Sequence, residues 1–351
     1  MSRAEIEALV QGGEVIGADR AWTGIDLSGA DLSGGIFDGA GLSGCDLRGA
    51  DFTEALLHGV RMDGANLCGA RLAKASFHDC ALSRADLTGA DCTGWAATGT
   101  GLRGAIFARA NLSEANIAQC RLTRASFAGA SLLRANIVQC RTDGIDLSGA
   151  DCTEAALVEA DLTRALLEGT RFLRTNFVKT SFAGMNLRGL VAALCHFNDC
   201  DLTGCNLSGA DLTQAVMAKV KAAGAVFEGA RMARAVLLGG VLTRAVLRRA
   251  DLTSAILQGA DLSDADAQGA ILVQATCTGM TAPRARFVDC DMTYADLSHA
   301  DLEAADLTGA TLARANLHQL RDRDALIPGR RHALPPDRDR IEAEQWQQRF
   351  T

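Results

Sequence analysis

One period governs this chain. From Trp22 to Leu317 a mostly bulky apolar residue recurs at every fifth position, 60 positions without an insertion or deletion. Of these centres 33 are Leu and 11 are Phe; the rest are Trp22, four Met, three Cys, five Ala, two Ile and Thr142. The residue two before each centre is usually Ala. The residue one before is Asp 18 times and Asn 8 times, and the residue two after is Gly 28 times and Arg 11 times. A period of five matches neither the 3.6 of a helix nor the 2.0 of a flat strand. It suits a coil that turns a corner every five residues, with small and Asx residues at the bend. One large side chain then points inward per side. Four corners close a square coil of about 20 residues, and stacked coils pair at the strand spacing of about 4.8 Å. The pattern predicts an all-β solenoid, a quadrilateral β-helix of about 15 coils.

Composition agrees with a narrow core. The chain of 351 residues is 48% hydrophobic yet only 5% aromatic, with a single Tyr. By length alone it would be two globular domains, but Ala and Leu dominate and 11 of its 12 Phe lie at centres. Where a centre is only Ala (Ala97, Ala192, Ala222, Ala267, Ala282), the residue two earlier is Trp95, Leu190, Val220, Ala265 or Met280. Interiors are close-packed, so a large residue there compensates the small centre and the two positions share one volume. Ala265 with Ala267 is the exception and a candidate small cavity.

The ends read differently. Residues 1–19 form an N-terminal helical cap, in which Ser2 and Glu5 make a capping box, Ile6, Leu9 and Val10 form an apolar side, and Gly12 and Gly13 end the helix. It is expected to cover the first coil near Trp22. Residues 20–320 are the β-helix. Residues 321–351 are a charged, Pro-containing linker and a second short helix, whose Ile341, Trp346 and Phe350 either cap the last coil or dock on a partner.

These repeats, such as Ala30-Asp31-Leu32-Ser33-Gly34 and Ala210-Asp211-Leu212-Thr213-Gln214, resemble the pentapeptide-repeat family over roughly residues 20–320. The resemblance implies a right-handed quadrilateral β-helix with short N- and C-terminal helical caps. It leaves function open, because the family is diverse. Some members dimerise through their C-terminal ends, which implies a homodimer as one option here.

No catalytic constellation emerges. Eleven of the 12 Cys occupy centres or Ala positions and should point inward as small hydrophobes; only Cys68 sits outward. Their spacing is not that of a zinc site, and many free thiols fit a reducing compartment, hence a cytoplasmic location. His58 and His78 stack in neighbouring coils above Asp38; a solvated polar ladder explains them, and weak metal binding or pH sensing is the other reading. No cofactor, resident metal or enzymatic activity is expected. No apolar run is long enough for a membrane span, and the net charge of -7 argues against direct nucleic-acid binding.

The surface is where function is expected. The place before each centre is usually polar, but between 216 and 271 it becomes apolar seven times, at Val216, Val226, Val236, Val241, Val246, Ile256 and Ile271. Folding the chain every 20 residues stacks Val216, Val236 and Ile256, and separately Val226 and Val246. Either β-propensity or a candidate partner surface accounts for them. Residues 219–249 carry seven Lys or Arg against Glu228, whereas residues 251–306 are acidic, so Asp291, Asp296, Asp301 and Asp306 form a candidate acidic surface. The sequence reading is therefore a non-enzymatic bacterial scaffold or adaptor for protein partners. The opening helix, Gly pair and Ala-Asp-Leu run also resemble pentapeptide-repeat proteins associated with type VI secretion. The alternative implied by the family is a DNA-mimicking, DNA gyrase-binding protein of the quinolone-protection kind.

Overall fold

The computed structural model describes residues 2–335 and 338–345. They form a parallel β-solenoid in two compact units: Met1–Ala183 with Val191–Cys200, and Gly184–Leu190 with Asp201–Thr351.

In the first unit, helix α1 (Arg3–Gln11) precedes eight short strands. These are β1 (Val15–Ile16), β2 (Ile36–Asp38), β3 (Leu56–His58), β4 (Ser76–His78), β5 (Ala96–Thr98), β6 (Asn116–Ala118), β7 (Asn136–Val138) and β8 (Ala156–Val158). They pair in parallel in chain order, β1 to β8, as one face of about seven turns. The other faces are held by single parallel bridges at the same 20-residue step, such as Asp31↔Asp51↔Arg71 and Asp26↔Asp46↔Asn66. In the second unit four bridge columns carry the register, ending in Asp301↔Arg321 and Asp306↔Leu326. Backbone pairing thus runs on past Leu317, where the residue pattern stops.

The five-residue unit is explained by its backbone donors. Between Cys45 and Gly49 three N–H groups bond along the stack: Asp46 N to Ile25 O (3.0 Å), Leu47 N to Asn66 O (2.7 Å) and Gly49 N to Cys68 O (3.0 Å). A fourth closes the corner, Ala50 N to Leu47 O (3.0 Å). The residue before this one, Gly49, has φ of 64°, the left-handed conformation that the third residue of a type II turn adopts and Gly adopts most cheaply. The fifth N–H, that of Arg48, bonds to the Asp46 carboxylate (3.2 Å). The same bond recurs from Thr53 to Asp51 (2.8 Å), from Ser148 to Asp146 (2.9 Å) and from Thr308 to Asp306 (2.9 Å). Asp or Asn before the centre therefore supplies the acceptor that the coil itself lacks.

The core is one side chain deep. Centres and Ala positions are buried alike, Trp95 and Ala97 among them. Trp95 packs edge-on against Phe77 (ring centroids 5.3 Å) and tilted against Phe107 (5.8 Å). Eleven cysteines are buried and Cys68 is partly so. Several of those in Ala positions donate S–H to a centre's carbonyl: Cys45 to Trp22 (2.5 Å), Cys200 to Phe177 (2.7 Å) and Cys290 to Ala267 (2.9 Å). Thr175 and Thr180 do the same to Cys152 and Leu157 (2.8 and 2.7 Å). Burial pushes the Cys80 thiol up to about 11 and that of Cys277 up to about 12.

Both ends are covered. The capping box at Ser2 and Glu5 is present, and Ile6 and Val10 are buried under α1. Arg3 donates to the carbonyls of Ser28 (2.8 Å) and Gly29 (2.5 Å), and Glu7 accepts from Asp31 N (3.0 Å). The helix thus satisfies the exposed edge of the first coil. At the other end a 3-10 turn, Pro328–His332, lies over the last coil, where Arg314 N bonds to His332 O (3.0 Å) and Leu334 N to Ala315 O (2.9 Å). Helix α2 (Arg338–Gln345) follows. Among the described residues, no helix is long and apolar enough to cross a membrane.

Candidate functional surface

The candidate partner-binding positions are those the backbone leaves outward. The second unit stacks Val216↔Val236↔Ile256 in one column and Val226↔Val246 in another, as the 20-residue folding requires. Val241 and Ile271 fall in the two remaining columns, Lys221↔Val241↔Asp261 and Asp251↔Ile271↔Asp291. The seven residues are thus distributed over four columns, and the tallest apolar stack is Val216, Val236 and Ile256. Ile256 is 37% exposed, and Leu238 beside it is 43% exposed. None of the three can supply the Asx acceptor found at this place elsewhere, a bond worth about 1 kcal/mol. Lys219 and Arg234 lie at the corners beside this stack.

The four aspartates, Asp291, Asp296, Asp301 and Asp306, lie in columns on four different sides. Each accepts from the N–H two residues on, at 3.0, 3.0, 3.1 and 2.9 Å in turn. Asp296 also accepts from Asn316 (2.9 Å), and Asp301 pairs with Arg321. Hydrogen bonds from the Thr308 side chain and backbone hold the Asp306 carboxyl below the usual range. These carboxylates are committed to turns and to neighbouring coils.

The same commitment runs through the surface charge. Asp211 pairs with Arg231 (2.5 Å), Asp264 with Arg284 (2.7 Å), Asp266 with Arg286 (3.1 Å) and Asp51 with Arg71 (2.6 Å), each one coil apart. One column reads Asp211, Arg231, Asp251, Ile271, Asp291, Thr311. Acids in it recur every second coil, roughly every 9.6 Å at strand spacing.

Ile341 lies in α2, but its side chain is outside the described part; Trp346 and Phe350 lie outside the described residues. In the first unit the structure brings together Asp38, His58 and His78 through the register of β2, β3 and β4. His58 Nδ1 is 2.9 Å from Asp38 Oδ1, and the two imidazoles stack at 5.5 Å. Asp79 joins them, 3.3 Å from His78; its place next to His78 in the chain was the overlooked signal. The exposed stack Val15, Ile36 and Leu56 was also overlooked. Val15 pairs with Ile36 at a 21-residue step, which folding at 20 misses. A third group, His299, His318 and Glu344, gathers at the C-terminal end. The 19-residue step between its histidines was legible, whereas the approach of Glu344 was not.

A family model described as pentapeptide repeats matches residues 22–49, 50–89, 105–141, 157–189 and, in overlapping stretches, 195–319. No curated protein matches. Among solved structures, HetL of the cyanobacterium Nostoc, a pentapeptide repeat protein involved in heterocyst differentiation regulation, is 24% identical, with 96% of this chain and 98% of that one covered and a TM-score of 0.24. QnrB1, a plasmid-mediated fluoroquinolone resistance protein, is 18% identical over 73% of this chain and 89% of that one, with a TM-score of 0.28. Rfr23, from the cyanobacterium Cyanothece, is 24% identical over 28% and 62%, with a TM-score of 0.23. No residue role is transferred from any of them.

Proposed function

The chain belongs to the pentapeptide-repeat family, and from that premise we propose that it is a non-enzymatic scaffold binding a protein partner through its outward apolar stack. The observation that carries this is the column Val216, Val236 and Ile256. Three successive coils there give up the Asx acceptor and carry apolar side chains on the outward side, with Val216 and Val236 half-buried and Ile256 exposed. Basic Lys219 and Arg234 flank the stack, so the partner segment is apolar with acidic neighbours. The narrower form of the proposal is an adaptor in type VI secretion, for which the captured partner should be a component of that apparatus.

The test replaces Val216, Val236 and Ile256 together by Asn. The chain already uses Asn at eight such places, so the variant keeps its turns while losing its apolar stack. Partner capture by quantitative affinity enrichment is expected to fall at least about tenfold, the scale of a desolvated contact cluster. Undiminished capture, or a loss seen only when Ile36 and Leu56 are replaced instead, would remove the function from this surface.

The gyrase reading is opposed by the charge pattern. B-DNA carries one negative charge per about 1.7 Å, whereas residues 21–320 carry 32 acids against 26 bases, a net of -6, or one per roughly 12 Å at 20 residues per coil and strand spacing. Gyrase supercoiling is expected to proceed unchanged in micromolar protein. Inhibition would reinstate the mimic.

A further inference from the structure

We propose that His299, His318 and Glu344 form a binding site for one divalent transition-metal ion of the zinc type, which fastens helix α2 to the last coils. Nothing in the scaffold reading requires such a site.

The residues come from separate parts of the second unit. His299 sits at a corner with φ of 58°. His318 follows the last apolar centre, and its N–H is held by the Asn316 side chain (3.1 Å). Glu344 belongs to α2. The His318 side chain is only 2% exposed, and its Nε2 lies 2.7 Å from Glu344 Oε2. His299 Nε2 lies 3.5 Å from Glu344 Oε1. The imidazoles meet edge-to-face at 5.4 Å and 78°. One nitrogen of each ring and the carboxylate lie within 4.8 Å of one another. Ligands at 2.0–2.1 Å around a tetrahedral ion stand about 3.4 Å apart. The observed separations bracket that value, so small side-chain rotations complete the set. Two imidazoles and a carboxylate are ligands that zinc accepts, with a fourth position left to water.

Helix α2 gives the site a purpose. Its described span has eight residues, Arg-Asp-Arg-Ile-Glu-Ala-Glu-Gln, fewer than the roughly 12–15 that an isolated helix needs. Its described side chains, Asp339, Glu342, Ala343 and Glu344, are exposed. A shared ion would fasten so short a helix to the last coils. The cluster at His58, His78 and Asp79 is the weaker candidate. Its rings stack face to face, all three residues are exposed, and His58 is already engaged by Asp38.

The test titrates Zn2+ into the full reduced chain at pH 7.5 against a chromophoric chelator. One equivalent is expected to bind, with affinity falling at least about tenfold in His299→Ala and in Glu344→Gln and unchanged in His78→Ala. Both test residues are exposed, so folding is not at stake. In parallel, Zn2+ should slow proteolysis at Arg338 and Arg340 in the wild type and not in Glu344→Gln. Overturning results are wild-type affinity in both variants, a loss that follows His78→Ala, or proteolysis indifferent to Zn2+.

Discussion

Replacing Trp95 by Ala is expected to destabilise the first unit by about 3–5 kcal/mol, the range for a buried Trp truncated in a core. The loss should be read as a lowered denaturant midpoint. Trp95 is fully buried between Phe77 and Phe107. It occupies a place where Ala is the rule because the next centre, Ala97, is small. Ala97 stands directly over Phe77 in the pairing of β4 and β5. A second change, Ala97→Phe, refills the volume from the other position and should recover at least half of the loss. If the double variant were no more stable than the single one, the two positions would not share one space. Trp95→Phe should cost far less than Trp95→Ala. It keeps most of the volume and removes an indole N–H that has no hydrogen-bond partner, a group whose burial costs about 1–3 kcal/mol.

Acid should unfold the protein steeply. The mechanism is the aspartate that many of the five-residue units use as the acceptor for their fifth N–H. Hydrogen bonds from the Ser28 backbone and side chain lower the Asp26 carboxyl, and those of Arg48 lower Asp46. For Asp146 and Asp211, burial pushes the carboxyl up, but hydrogen bonds from Ser148 and Thr213 outweigh it, with Arg231 adding to the effect at Asp211. A carboxyl with a depressed folded-state pKa stabilises fully above its unfolded value. That contribution is lost as pH falls through the folded value. The unfolded value for Asp is about 3.9. The denaturant midpoint should therefore stay level from pH 7 to about 5 and drop progressively below about pH 4. Asp211→Asn keeps an acceptor for Thr213 and should flatten the acid limb slightly, whereas Asp211→Ala should destabilise at neutral pH as well. A midpoint unchanged down to pH 3 would contradict this role for the carboxylates.

Which side chains face inward was legible because the period is exposed in every fifth letter. The register assigned Cys92, Cys152 and Cys277 to centres and Cys68 to the outside, and the structure buries the first three while leaving Cys68 partly open. The stacking of Val216 on Val236 and of His58 on His78 followed from the same 20-residue step. That Asp serves the bend was legible, but how far this commits its charge was not. Its recurrence suggested solvation and a candidate acidic surface, whereas Asp291 and Asp306 are tied to Thr293 and Thr308. Counting residues shows a charge but not its partner two positions on. Contacts outside the period were hidden for a related reason. Nothing in the repeat predicts that Glu344 reaches His318, because α2 obeys no register. Nor does it predict Val15 beside Ile36, because the chain enters the solenoid one residue out of step.

The partner surface exists only if the register that sends Val216, Val236 and Ile256 outward also sends eleven cysteines inward. Counting reactive thiols tests this most directly. The native chain, treated briefly with N-ethylmaleimide at pH 8 and weighed intact, should gain one adduct, mapped to Cys68, and in denaturant all twelve cysteines should react. Rapid native labelling of Cys92, Cys152 or Cys277 would contradict the register and, with it, the surface.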